Sequence, residues 1–346
     1  MSMVKLTIDG KEVLTRKNST ILEAAEKAGI RIPTLCFHKR LNPIGSCRMC
    51  VVDIQGYSEP MAACTTPVAE NITVTINSDR LFRIRQDSLK LILANYPLDC
   101  RICDKAGECV LQELAIEYDI KEAEYKVPKQ TLNPVYATSL IRYRPERCIL
   151  CLRCTAACRE IKGIGALDII NGQEGHHLSV NQEICVSCGE CLKVCPTEAL
   201  TENLSGTRGW SRLVKKIPTT CTYCGCGCQM ELNVLDNKVL GITAKDDAGV
   251  NQGSLCVKGR FGFEFISSGQ RLKMPLIKKN GKLQESSWDE ALNLAAEKFN
   301  KIKKESGSDA IGGLTSARCT NEDNYLFQKF MRAVIGTNNV DHCARL

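Results

Sequence analysis

Aromatic residues make up only 5% of this 346-residue chain, which excludes an aromatic-rich core. No stretch approaches the roughly 18 consecutive apolar residues that cross a bilayer. The N-terminal MSMVKLTIDGKEV has neither an apolar export core nor a twin-arginine signal, so a cytoplasmic protein without a membrane span is expected. Low-complexity tracts are absent too. The formal charge is +7, but Lys and Arg are dispersed rather than gathered in a run. That argues against a nucleic-acid partner and for a solvated basic surface that offsets buried anions. Histidine is also scarce. His38, His176, His177 and His342 stand at no ligand spacing and read as solvated or packing residues. Gly163-Ile164-Gly165 lacks the third glycine of a dinucleotide fingerprint.

Against these absences stand 22 cysteines. Cysteine-dense disulfide scaffolds are short and secreted, whereas clustered thiols in a reducing compartment point to metal. The length allows two to four small domains. Val4–Ile8 and Lys11–Arg16 flank Asp9-Gly10, a two-residue hairpin signal. Thr20 and Glu23 have capping-box spacing, with Gly29 placed to end the helix. A loop from Arg31 to Pro67 and a strand at 72–76 follow, then a helix over 80–94, a second helix after Cys109 and a polar linker around 121–140. From Pro218 the pattern changes to a strand-like 231–244. It then becomes α/β, with an amphipathic helix over 287–302, a buried strand over 309–316 and a further helix over 321–336.

Several thiolates converging on a soft inorganic core come as short loops plus a more distant cysteine. Cys148, Cys151, Cys154 and Cys158 follow Cys-x2-Cys-x2-Cys-x3-Cys, and Cys185, Cys188, Cys191 and Cys195 repeat it, with Pro196 next. In this two-cluster ferredoxin pattern each fourth cysteine serves the other cluster. One 4Fe–4S centre is therefore expected on Cys148, Cys151, Cys154 and Cys195, and a second on Cys185, Cys188, Cys191 and Cys158. Cys36, Cys47, Cys50 and Cys64, after the hairpin and helix, resemble the 2Fe–2S site of β-grasp ferredoxin domains in complex I-like and hydrogenase-like proteins. A structural zinc site is the alternative.

Cys100, Cys103 and Cys109 in NYPLDCRICDKAGEC resemble the 4Fe–4S site with one histidine and three cysteines in the same families. Tyr96 occupies the histidine position. A cluster with Tyr96 or another group as fourth ligand, a three-iron cluster and an empty loop all stay open. Cys221, Cys224, Cys228 and Cys256 resemble the 4Fe–4S site of molybdopterin oxidoreductases. There the lysine matching Lys258 lies between cluster and pterin, as a cofactor-binding electron relay. Cys226 reads as a bystander, and Cys319 and Cys343 as buried packing residues.

RLKMPLIKKNGKLQESSWDEAL and TNNVDHCARL resemble formate dehydrogenases carrying a molybdenum or tungsten bis-pterin guanine dinucleotide. The resemblance implies a metal-ligating selenocysteine or cysteine just after Leu346, hence a chain terminated at a selenocysteine codon, with no catalytic ligand inside it. The expected fold is α+β and multi-domain: a 2Fe–2S ferredoxin domain at 1–79 and a 4Fe–4S module with linker at 80–140. A two-cluster 4Fe–4S ferredoxin domain at 141–210, a 4Fe–4S domain at 216–272 and the beginning of a pterin-binding α/β domain at 273–346 complete it. With every site filled, about 18 iron atoms are expected.

Electrons from formate would enter at Cys221–Cys256 and leave at the 2Fe–2S domain, towards a flavin/NAD, ferredoxin-using or hydrogenase subunit; carbon dioxide reduction reverses the flow. The 346 residues alone would transfer electrons without turning over formate. The rival expectation is a non-catalytic Fe–S subunit of a complex I-like or hydrogenase-linked assembly.

Overall fold

The computed structural model describes residues 2–94, 96–103, 105–121, 125, 135–172, 175–203 and 213–343. Two compact units divide the chain, Met1–Val214 and Lys215–Leu346.

The first unit begins with the hairpin β1 (Met3–Ile8) and β2 (Lys11–Arg16). Asp9 and Gly10 both have positive φ, 44° and 78°, the geometry of the tight turn that matches strand twist. Thr20 caps α1 (Ile21–Lys27), accepting from the Glu23 N–H while the Glu23 carboxylate accepts from the Thr20 N–H. β3 (Val51–Ile54), β4 (Met61–Ala62) and β5 (Thr73–Thr75) complete a five-stranded sheet of order β2-β1-β5-β3-β4, in which β1 and β5 run parallel. Ile8, Ile21, Ala24, Val52 and Val74 fill the space between sheet and helix.

Ser78 caps α2 (Asp79–Leu93), accepting from the Leu81 N–H. Leu81, Arg85, Leu89 and Leu93 recur every fourth residue and form its buried stripe. Arg85 is the polar member. It donates to the carbonyls of Val51 at 2.7 Å and Ile76 at 3.0 Å, tying the helix to the sheet. Arg85→Met is expected to orphan both carbonyls and cost about 2–4 kcal/mol. The check is the urea midpoint for loss of the first unit's near-ultraviolet signal.

α3 (Val110–Glu117) shares a core with α2 and the first cysteine loop through Leu35, Met49, Leu89, Leu93, Leu111 and Leu114. β6 (Val135–Thr138) and β7 (Ile141–Tyr143) pair with each other and, through β7, with the strand that closes the repeat, Leu200–Glu202. The linker expected over 121–140 thus ends as a strand, because its alternating Val135–Thr138 pairs with β7. Most of that linker lies outside the described residues, as do 204–210 and Leu346.

Each half of the repeat carries a short helix, α4 (Arg153–Ala156) and α5 (Glu190–Val194). Between them β8 (Leu167–Gly172) and β9 (Gly175–Val180) form a hairpin. The closing strand is then β10 (Leu200–Glu202).

In the second unit β11 (Lys215–Thr220), β12 (Gln229–Leu235) and β13 (Lys238–Thr243) form an antiparallel sheet, followed by α6 (Val257–Phe261). A hairpin of β14 (Leu276–Lys279) and β15 (Lys282–Glu285) precedes α7 (Trp288–Ser306), capped by Ser287. β16 (Gly313–Thr315), α8 (Asn321–Lys329) and β17 (Val340–His342) make one parallel crossover unit. β16 was expected to be buried, yet Leu314 is 82% exposed, because β17 is its one partner strand among the described residues and that face of the pair is uncovered. Among the described residues no helix is long and apolar enough to cross a membrane.

Candidate metal centres

In the first loop the four thiols fall into two pairs. The Cys36 N–H points at the Cys47 sulfur at 3.3 Å and the Cys47 N–H at the Cys36 sulfur at 3.5 Å. A hydrogen bond from the Cys47 thiol lowers Cys36 to about 5, and that same bond to Cys36, followed by burial, pushes Cys47 up. Cys50 is lowered to about 7 by the Cys64 thiol, which is itself pushed up. Two thiol pairs held side by side suit a core of two irons, each taking two sulfurs. Gly45 is required here: at φ +72° a Cβ would also lie 3.1 Å from Thr65 Cγ2.

In the repeat the thiols of the two runs lie near one another. Cys158 lines a cavity of about 30 Å³ together with Cys185, Cys188 and Cys191. Burial holds the Cys154 thiol far above its ordinary value, and the neighbours adding to that are Cys151, Cys195, Cys191 and Cys148. The two halves share a backbone device. Leu150 and Ser187, one residue before the second cysteine of each run, both have positive φ, as do Leu152 and Gly189 just after it. Such turns aim N–H groups inward, a setting that suits an anionic sulfur core. Accordingly the Leu150 N–H bonds Cys148, the Arg153 N–H bonds Cys151 and the Glu190 N–H bonds Cys188, each two residues on. Tyr143 adds a hydroxyl to Cys148, and the Ala166 N–H meets the Cys158 sulfur at 3.3 Å.

Cys100, Cys103 and Cys109 line one cavity of about 190 Å³ with Tyr96 and Arg147. Tyr96 is 7% exposed. Burial first, then the Cys109 and Cys103 thiols, push its phenol up, while a hydrogen bond from Arg147 opposes them. Arg147 is buried, paired to Asp99 at 2.7 Å and to Glu198 at 3.2 Å. It adjoins Cys148 in sequence, and Lys105 donates to the Cys195 carbonyl at 3.1 Å. The three-cysteine site is thus clamped to the Cys148–Cys195 site.

In the second unit Cys221 follows β11 directly, and the cysteine loop connects that strand to β12, with the Cys221 N–H donating to the Cys228 carbonyl at 2.8 Å. Cys256 stands at the N-cap of α6, whose Gly259 packs against the Cys221 sulfur, which a Cβ there would meet at 3.6 Å, ordinary contact. Burial, then the Cys226 thiol and the charges of Cys226, Cys221 and Cys224, raise Cys228 to about 11. Tyr223 donates to the Gly262 carbonyl and stacks edge-on against Phe265, closing the loop onto the helix. Lys258 is exposed on α6.

Cys226 is exposed, with its sulfur 3.6 Å from that of Cys228. Because Cys221, Cys224, Cys228 and Cys256 already supply four sulfurs, Cys226→Ser is expected to keep the full iron content of this site. Cys256→Ser should lose about four irons, read by colorimetric iron assay.

Among the described residues no three His, Cys, Asp or Glu side chains close around a single metal ion. Cys100, Cys103 and Cys109 line one cavity and Cys158, Cys185, Cys188 and Cys191 another, room of the kind a several-atom cluster needs. All-sulfur donors with N–H groups aimed at them fit iron–sulfur clusters. Cys343 corrects an expectation: it is exposed, not packed, and its sulfur lies 3.3 Å from the Ser316 hydroxyl because β17 sits at an uncovered edge. Cys319 is half-buried. Arg147 and Lys105 were not found by sequence, since their partners Asp99 and Cys195 lie 48 and 90 positions away, and Tyr143, though close to Cys148, carries no spacing signal.

Comparison with known proteins places domain matches along most of the chain. A 2Fe–2S iron-sulfur cluster binding domain covers 1–79 and an NADH-ubiquinone oxidoreductase-G iron-sulfur binding region covers 85–124. A 4Fe–4S dicluster domain covers 142–202, a molybdopterin oxidoreductase Fe4S4 domain 214–268 and a molybdopterin oxidoreductase domain 271–346.

The NADPH-Fe(3+) oxidoreductase subunit alpha of Geobacter sulfurreducens is 42% identical over 99% of this chain. An NADH-quinone oxidoreductase subunit of Rhizobium meliloti is 38% identical over 99%. A Staphylococcus aureus protein with a provisional formate dehydrogenase name is 33% identical over 98%. The chain spans 40%, 40% and 39% of these relatives' lengths, respectively. A chain of an NAD+-reducing NiFe hydrogenase superposes with a TM-score of 0.56 at 27% identity, over 60% of this chain and 91% of that one. The chain therefore carries segments that match iron–sulfur cluster domains over 1–79, 85–124, 142–202 and 214–268 and a molybdopterin oxidoreductase domain over 271–346.

Proposed function

We propose that this chain conducts electrons between a molybdenum or tungsten bis-pterin site of the whole protein and a redox partner subunit, with formate as the two-electron donor. Support for conduction comes from the first unit, where Cys47 and Cys151 line one cavity of about 260 Å³. The 2Fe–2S site and the Cys148–Cys195 site are thus neighbours. The same central site is clamped by Arg147 and Lys105 to Cys100–Cys109 and shares its ligand runs with Cys158–Cys191. The Cys148–Cys195 centre is therefore a junction rather than one bead on a line. When bound, the clusters supply one-electron steps. The chain's own groups exclude water, aim N–H donors at the sulfurs and supply Arg147 and Lys105 as fixed cations.

Formate is favoured by the TNNVDHCARL segment and by the Staphylococcus relative. The two more similar relatives, by their names, use NADPH or NADH. They favour a second reading, in which the whole protein takes electrons from a nicotinamide-linked subunit and oxidises no formate. The test is dye reduction by the full-length protein from cells grown with molybdate, tungstate or neither. Formate-dependent reduction that requires one of the metals supports the first reading. NAD(P)H-dependent reduction alone, through a partner subunit, supports the second.

A further inference from the structure

Arg153 lies between two ligand sets. It follows Cys151 by two residues and precedes Cys154, yet its guanidinium reaches 3.4 Å from the Leu35 carbonyl, next to Cys36. The thiols acting on it come from both sites, Cys151 and Cys195 on one side and Cys36 and Cys47 on the other. No carboxylate among the described residues pairs with Arg153, and its Nε is buried without a hydrogen-bond partner. Arg153 is half-buried with its Nε shut off from solvent, and a cation so placed gains from a compensating anion. Here the groups at hand are the two sets of cluster ligands.

We propose that Arg153 is the shared counter-cation of the 2Fe–2S site at Cys36–Cys64 and the 4Fe–4S site at Cys148–Cys195, raising the reduction potential of both. This rests on the reading of those cysteines as cluster ligands. Each centre gains one negative charge when it takes one electron. When an electron passes between them, one is reduced as the other is oxidised; no bond breaks and no proton moves. A cation placed between them stabilises both reduced states. It thereby favours loading from outside the pair while leaving the step within the pair nearly unchanged. The guanidinium remains charged throughout.

The test is EPR-monitored potentiometry of the cluster-loaded 346-residue chain and its Arg153→Gln and Arg153→Lys variants. In Arg153→Gln both midpoints are expected to fall together, each by about tenfold in the reduction equilibrium, about 59 mV for a one-electron centre. Their difference should change less than either midpoint. Arg153→Lys should retain most of both. If only one midpoint moves, if neither does, or if the lysine variant falls as far as the glutamine, the proposal is overturned. Should a variant lose one centre by iron assay, an unmoved midpoint in the surviving one overturns it equally. If neither variant holds either centre, Arg153 assembles the sites rather than setting their potentials, and the proposal falls. A parent chain lacking both EPR signals would instead defeat the assignment of the ligands.

Discussion

Tyr96→His is expected to convert the Cys100–Cys109 centre from a three-thiolate cluster into a fully ligated 4Fe–4S cluster. The native site offers three sulfurs and a buried phenol around one cavity. A neutral phenol is a poor ligand for iron, and ionising it beside two thiols is opposed by burial and by their charge. Arg147 offers one compensating hydrogen bond and is shared with Asp99 and Glu198. With three thiolates and a weak oxygen donor at the site, the cluster's fourth iron is expected to be lost on oxidation. Air-oxidised native chain should show a three-iron EPR signal and about one iron fewer per chain than Tyr96→His. The imidazole places a nitrogen donor where the phenol stands, and the three-iron signal should vanish. Two outcomes would sink this account: an oxidised native chain without the signal but with full iron, or a histidine variant that keeps the signal.

That expectation separates what the sequence made legible from what it did not. The Asp9-Gly10 turn and the Thr20/Glu23 box are local devices, and each appears where its residues require it. Cysteine spacings are likewise short-range, because a cluster needs its loop ligands within a few residues of each other. The polar groups around the sulfurs obey no such limit. Arg147 reaches Asp99 across 48 positions, Lys105 reaches Cys195 across 90 and Arg153 reaches Leu35 across 118. No periodicity records such contacts. Nor does chain order give cluster order: Cys100–Cys109 comes second in sequence, but in the fold it abuts the central Cys148–Cys195 site. The burial expected for Cys343 failed for a similar reason, since burial depends on which neighbouring strands cover β17.

Crossing of the fourth ligands gives the sharpest separation between variants. If each cysteine run held its own cluster, Cys195→Ser would damage the centre built on Cys185, Cys188 and Cys191. In the fold Cys195 instead stands among Cys148, Cys151 and Cys154, while Cys158 shares a cavity with the other three. The half-repeats are close in backbone geometry, down to the positive φ of Leu152 at 63° and Gly189 at 73°, so the two centres should form independently. Cys195→Ser is accordingly expected to lose or degrade the junction centre, up to about four irons, and to leave the Cys185–Cys191 centre intact. Cys158→Ser should do the reverse. Only the first variant interrupts conduction between the 2Fe–2S site and every other centre of the first unit. Rapid-freeze EPR after dithionite reduction should then show the 2Fe–2S signal arising out of step with the remaining 4Fe–4S signals. In Cys158→Ser, by contrast, the 2Fe–2S and junction signals should still rise together. The opposite assignment of lost signals would mean that each run closes on itself.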